Sequence, residues 1–197
     1  MRSSRWPPLV ADYDPVGMLR VLIARGVEFV VVGGVAARLR GAPILTQDLD
    51  VTPRSTKSNL ERLAAALTDL EAQLRTATNP EGVQFPHDPA LLAAANTWTL
   101  TTRLGDLDLV FEPAGTRGYE DLKADAELLQ VALEPPLSVP VASLEDIIRS
   151  KQAAGRAKDQ AASHSCARLL TRSIGPTPDH ATADNSNLGN LARHEPA

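Results

Sequence analysis

A chain of 197 residues, 43% of them apolar and 22% charged, is long enough to close one hydrophobic core with room for a small helical appendage. Its 20 basic and 24 acidic residues leave a net charge of -4, which excludes a globally basic surface and confines any polyanion site to a local patch. A single cysteine, Cys166, and four scattered histidines exclude a disulfide framework and a zinc cluster. No apolar run reaches the length of a bilayer span and the first eight residues lack the apolar core of a secretion signal, so a soluble, cytoplasmic protein that engages no membrane is expected.

The predicted elements begin after a short lead over residues 1–11. Residues 15–26 read as a helix, because Val16, Leu19, Leu22 and Ile23 recur at helical spacing and Gly26 stands where a C-terminal cap belongs. Residues 27–32 hold four valines and Phe29 in an almost unbroken apolar run, as a strand buried on both faces does; Gly33 and Gly34 end it. Helical composition returns over 35–40, Gly41 and Pro43 break it, and 46–52 alternates polar and apolar residues as a half-buried strand. Ser55 is placed to cap a helix that runs to about Leu74, with Leu60, Leu63, Leu67 and Leu70 as its apolar stripe.

Residues 79–89 are rich in turn formers and predict a loop. Residues 97–102 and 107–111 flank Leu104, Gly105 and Asp106, which predicts an antiparallel hairpin with those three in the turn. One further strand is expected after Ala126. From Ser143 as cap, with Glu145 and Asp146 in the first turn, a helical region is expected to about Arg172, with Gly155 a candidate interruption. These elements place one domain over 12–172. Residues 173–197 are polar and nearly free of large apolar side chains, and predict a disordered tail.

The stretch that carries chemistry is VVGGVAARLRGAPILTQDLDV, residues 31–51. A strand turns alternate side chains to opposite faces, so Asp48 and Asp50 share one face while Leu49 and Val51 point into the core. Two like charges so close are relieved by solvent, a shared proton or a divalent cation, and hard carboxylate oxygens suit Mg²⁺ or Mn²⁺. Asp108 alternates with Leu107, Leu109 and Phe111 and faces the same open side; Asp106 shares its parity but is expected in the turn. Three converging carboxylates fit two-metal activation of an attacking hydroxyl against a leaving pyrophosphate, with Asp48 and Asp50 ligating both ions and Asp108 ligating one and helping to deprotonate the acceptor.

Gly33 and Gly34 suit the phosphate end of the same substrate: without β-carbons the backbone approaches closely, and the following helix offers N–H groups and a positive dipole end. Thr46 lies two residues before Asp48 and offers a hydroxyl to a phosphate oxygen. Lys151 and Lys158 lie one heptad apart, with Arg156 between them, within reach of a triphosphate or an RNA backbone if the late helix is continuous. Taken singly, a Gly-Gly pair reads as a tight turn, an Asp-x-Asp says little more, and Lys151, Arg156 and Lys158 read as a solvated helix face; the combination of glycine pair, Asp-x-Asp and a hairpin Asp in matching phase reads as a site. His87, His164 and Cys166 lack a companion set of nucleophile, base or ligands, and Trp6 and Trp98 read as packing residues.

The Gly33-Gly34 pair followed by Thr-Gln-Asp-Leu-Asp-Val at 46–51 resembles the signature of the polymerase-beta-like nucleotidyltransferase superfamily, and Leu107-Asp108-Leu109-Val110 resembles its third-carboxylate strand. Residues 141–159, VASLEDIIRSKQAAGRAKD, resemble the closing helix of its AbiE-type toxin branch, and over 16–172 the chain resembles the MenT group of mycobacterial toxins. The resemblance implies an α/β (α+β) nucleotidyltransferase fold, with a mixed twisted sheet flanked by helices and a C-terminal helical segment. It implies a toxin of a toxin-antitoxin system that transfers a nucleoside monophosphate from a triphosphate, with Mg²⁺ or Mn²⁺, to the 3′ acceptor end of tRNA and so blocks translation, neutralised by a cognate antitoxin protein. Carried over by motif, Gly33, Gly34 and Thr46 fall at the phosphate loop and strand, Asp48 and Asp50 at the metal pair and Asp108 at the third acid. Lys151 falls where the triphosphate is held, and Asp159 at a second late-helix position. The sequence departs from the pattern at Gly34, where many members carry serine, and is short for the toxin group. The competing readings are a small-molecule nucleotidyltransferase of the aminoglycoside-resistance kind and a non-catalytic binding module.

Overall fold

Asp14 caps the first helix: its carboxylate accepts from the Gly17 N–H at 2.8 Å, and Pro15 occupies the first turn, where a missing N–H costs nothing. This helix, α1 (Pro15–Ala24), opens a computed structural model that describes residues 13–155 together with 166 and 167. It buries Met18, Leu19 and Leu22, and Gly26 at φ +67° turns the chain into strand β1 (Phe29–Val31), whose residues are all buried. Helix α2 (Gly33–Leu39) leads back to strand β2 (Asp48–Pro53), followed by helix α3 (Lys57–Asp69) and the short strand β3 (Gln73–Leu74). Helix α4 (Pro89–Ala93), capped by Asp88, precedes the hairpin of β4 (Thr97–Thr102) and β5 (Gly105–Val110). Helix α5 (Tyr119–Ala124), a second hairpin of β6 (Glu127–Ala132) and β7 (Leu137–Val141), and helix α6 (Leu144–Ala154) complete the order.

The seven strands form one mixed sheet in the order β3-β4-β5-β2-β1-β7-β6, with β1/β7 and β2/β5 parallel and the other neighbours antiparallel. The fold is the expected mixed α/β sheet with flanking helices. Leu49, Val51, Leu100, Leu107 and Leu109 are fully buried in one core with the apolar stripe of α3, Leu60, Leu63, Leu67 and Leu70. At 25 cal/mol per Å² of apolar surface, each such leucine contributes roughly 2 kcal/mol of transfer free energy. Arg40, just past α2, donates to the carbonyls of Val141 and Ala142 at 3.0 and 3.1 Å and so ties α2 to the end of β7, where α6 begins.

Several boundaries differ from the sequence expectation. Helix α2 starts at Gly33 rather than after the glycine pair. Residue 46 precedes β2 instead of opening it. The cap position of α3 is Thr56, not Ser55, and its side chain makes no capping bond. That helix ends at Asp69, with Leu70 as cap and Glu71 at φ +54°; Leu70 and Leu74 stay apolar because the chain turns and rejoins the same core as a strand. Two strands, not one, follow Ala126, because residues 133–136 form a turn between them. Gly155, at φ +64°, ends α6 as a left-handed cap. No helix among the described residues is long and apolar enough to cross a membrane. Trp6, Arg156, Lys158, Asp159, His164 and the tail over 173–197 lie outside the described residues.

Candidate active site

The open face of the sheet carries its acids in a square. Parallel pairing sets Asp48 opposite Asp106 and Asp50 opposite Asp108, and strand alternation turns all four side chains to the same side while Leu49, Val51, Leu107 and Leu109 fill the core beneath. Neighbouring strands run about 4.8 Å apart, so register alone brings the four carboxylates together. Asp106 is then drawn off by an ion pair with Arg75. The prediction that Asp106 sits in a turn is corrected: β5 starts two residues earlier than expected, at Gly105, whose φ of +111° makes the turn tight enough for Asp106 to pair across to Thr101.

The remaining three, Asp48, Asp50 and Asp108, offer carboxylate oxygens that all lie within 4.8 Å of one another. Burial, followed by the charges of Asp48 and Asp108, pushes the Asp50 carboxyl up to about 7, against the opposing pull of the Gly34 N–H and of Lys151. Burial and Asp48 also raise the Asp108 carboxyl, with Thr99 and Arg75 pulling it down. Oδ1 of Asp108 is buried with no hydrogen-bond partner among the described residues. Like charges held this close, with a buried oxygen left unmatched, fit a divalent cation, whose charge removes both penalties and whose preference for hard oxygen ligands matches this donor set.

The glycine pair is shaped by these acids. Gly33 has φ +62°, and a β-carbon there would overlap Asp50; a β-carbon on Gly34 would stand 2.5 Å from Thr46 Oγ1. The Gly34 N–H points to Asp50 Oδ2 at 3.4 Å. Thr46 donates its hydroxyl to Asp48 Oδ1 at 2.6 Å, so it orients a carboxylate here. Tyr13 donates to the Asp48 carbonyl at 2.8 Å, and burial together with the charges of Asp48 and Asp50 pushes its phenol well above the usual range.

A cavity of about 310 Å³ opens between the sheet and α6, and Gly33, Asp50, Asp108, Ser150 and Lys151 all contribute to its wall. Thus Gly33, Asp50, Asp108 and Lys151 line one space, with Asp48, Thr46 and Gly34 at its edge through the contacts above; Asp159 lies outside the described residues. Thr99, Tyr13 and Arg75 escaped the sequence reading. Thr99 was accessible to it, because it alternates with Trp98 and Leu100 and pairs with Asp108 in the hairpin. Tyr13 and Arg75 come from distant parts of the chain and carried no local signal. Trp98 packs as expected, buried, stacked on Phe85 with centroids 5.5 Å apart and donating to the Leu92 carbonyl.

No family model matches the sequence, and no curated protein matches it. Among solved structures the chain is similar to the lincosamide antibiotic adenylyltransferase LnuA, crystallised with lincomycin, with a TM-score of 0.54 at 11% identity over 80% of this chain and 99% of that one. ANT(2″)-Ia in complex with adenylyl-2″-tobramycin also matches, with a TM-score of 0.47 at 16% identity over 80% of this chain and 87% of that one. Likeness at this level of identity is likeness of fold: the chain has the nucleotidyltransferase fold.

Proposed function

We propose that this protein is a metal-dependent nucleotidyltransferase acting as the toxin of a toxin-antitoxin pair, moving a nucleoside monophosphate from a triphosphate to the 3′ end of tRNA. The observation that carries the transferase reading is the meeting of Asp48, Asp50 and Asp108 within 4.8 Å beside the Gly33–Gly34 bend, at a cavity whose wall includes Asp50, Asp108 and Lys151. Asp48, Asp50 and Asp108 would hold Mg²⁺ or Mn²⁺, which would supply Lewis-acid stabilisation of the charge developing on the phosphates. The chain's own groups do the rest. Lys151 holds the triphosphate by charge, while Gly33 and Gly34 let the backbone approach the phosphates without side-chain obstruction. The acceptor hydroxyl attacks the α-phosphorus, a new P–O bond forms as the bond to pyrophosphate breaks, and Asp108 takes the hydroxyl proton. Asp159 is proposed to assist from the late-helix region.

The tRNA acceptor and the antitoxin partner rest on the likeness of 141–159 to the AbiE-type closing helix. A second reading, a small-molecule acceptor, is favoured by the LnuA match, which spans 99% of an enzyme that adenylylates an antibiotic. Incubating purified protein with each α-labelled triphosphate and either total tRNA or a panel of lincosamides and aminoglycosides separates the two. Label on tRNA supports the toxin; label only on a drug overturns it; label on neither, with Mg²⁺ and Mn²⁺ both tried, overturns the transferase reading itself. Growth arrest on expression that vanishes with Asp48→Ala tests the toxin role in cells.

A further inference from the structure

A second, more open cleft borders Thr99, the cross-strand neighbour of Asp108. Its volume is about 460 Å³, and Arg75, Thr76, Ala77, Pro80 and Thr99 line it. Thr99 lines both cavities and pairs across the hairpin with Asp108, so the two spaces share a wall residue next to the proposed base. The Arg75 N–H donates to the Thr99 carbonyl at 2.9 Å, which continues the row Asp50, Asp108, Thr99, Arg75 across the sheet. At one strand spacing of about 4.8 Å per step, the Arg75 backbone stands roughly 10 Å from that of Asp108, and its side chain turns back over the gap to reach Asp106.

That pairing uses only Nη1. Nε and Nη2 of Arg75 donate to nothing among the described residues. Arg75 shares its charge with Asp106 and with the nearby Asp108, but its Nε and Nη2 keep two planar donors for an anion. We propose that Arg75 is a specificity residue for the acceptor, binding a phosphate that the acceptor carries next to its attacking hydroxyl, as the last phosphodiester of an RNA does. The inference rests on the transferase reading above, and it separates the two acceptor classes on the chemistry of the cleft. The hydroxyl enters from the Thr99 side, Arg75 fixes the neighbouring phosphate, and the triphosphate occupies the first cavity with Lys151, so the two anionic partners are held by different cations.

The test uses the full chain, an α-labelled triphosphate and a short RNA with a free 3′ hydroxyl. Arg75→Gln is expected to raise KM for the RNA about tenfold, to leave KM for the triphosphate within about twofold, and to make the dependence of log KM on log salt shallower by about one. Because Arg75 also restrains Asp106, the double variant R75Q/D106N is measured alongside; removing both charges together is expected to give the same loss of RNA affinity. Unchanged RNA KM and salt slope in both variants overturns the inference while leaving the transferase reading standing. Transfer by the wild type to tobramycin or lincomycin but to no RNA also overturns it, and transfer to no acceptor at all removes the reading beneath it.

Discussion

A β-carbon at Gly33 would lie 2.5 Å from Cγ of Asp50, closer than any real side chain tolerates. The bend and the acid therefore occupy one space, and neither can change alone. Gly33→Ala adds the strain of φ +62° to that overlap and is expected to cost about 1–3 kcal/mol of stability. Nucleotidyl transfer is expected to fall at least about a hundredfold, because the displaced Asp50 no longer meets its partners. Denaturant titration beside a transfer assay reads both; wild-type activity in Gly33→Ala would show that the close approach is irrelevant.

Asp50 gives the apoprotein a pH signature. In protein stripped by a chelator, the folded state holds the Asp50 proton up to about pH 7, whereas the unfolded chain releases it near 3.8. The folded state binds the extra proton between those values, so stability falls as pH rises through that window and the penalty is complete above it. Asp50→Asn, which mimics the protonated form, is expected to raise Tm at pH 8 and leave it nearly unchanged near pH 4. Saturating Mg²⁺ should raise Tm of the wild type at pH 8 in the same direction. Equal Tm differences at the two pH values would refute the shift.

Thr46 orients Asp48 through a 2.6 Å hydrogen bond. Thr46→Val keeps the shape and removes the donor, and is expected to weaken Mn²⁺ binding and transfer about tenfold, whereas Thr46→Ser retains both. Calorimetric titration with Mn²⁺ distinguishes this positioning role from a contact to phosphate, which would lower triphosphate affinity and leave the metal alone.

Asp108 carries the test of the acid cluster. Asp108→Asn is expected to reduce transfer more than about a thousandfold, near 4 kcal/mol of transition-state stabilisation. The same substitution should not lower Tm, because it relieves a buried carboxylate whose Oδ1 has no partner among the described residues. Loss of activity together with a collapsed fold would instead make Asp108 a structural residue.

Much of this was legible along the chain because it depends on period and parity. The alternation of Asp48, Leu49, Asp50 and Val51 assigns acids and apolar residues to opposite faces of any strand, and the spacing of Leu60, Leu63, Leu67 and Leu70 draws one side of a helix. Boundaries were less legible. Leu74 continues the apolar pattern of α3 although it belongs to a strand, because both elements bury side chains in one core and hydrophobicity does not record the turn at Glu71.

By itself the sequence determined which residues are acidic, which face each takes on its strand, and where glycine permits a bend, since these follow from local geometry. The sequence also named Asp48, Asp50 and Asp108 as the converging set; only the tertiary structure decided that Asp106 shares their face and is held by Arg75. Parallel pairing of β2 with β5 fixes Asp48 against Asp106 and Asp50 against Asp108, and Arg75, 31 residues from Asp106, then draws one acid away. Pairing register and long-range ion pairs depend on how distant segments pack, and no window of neighbouring residues contains that information.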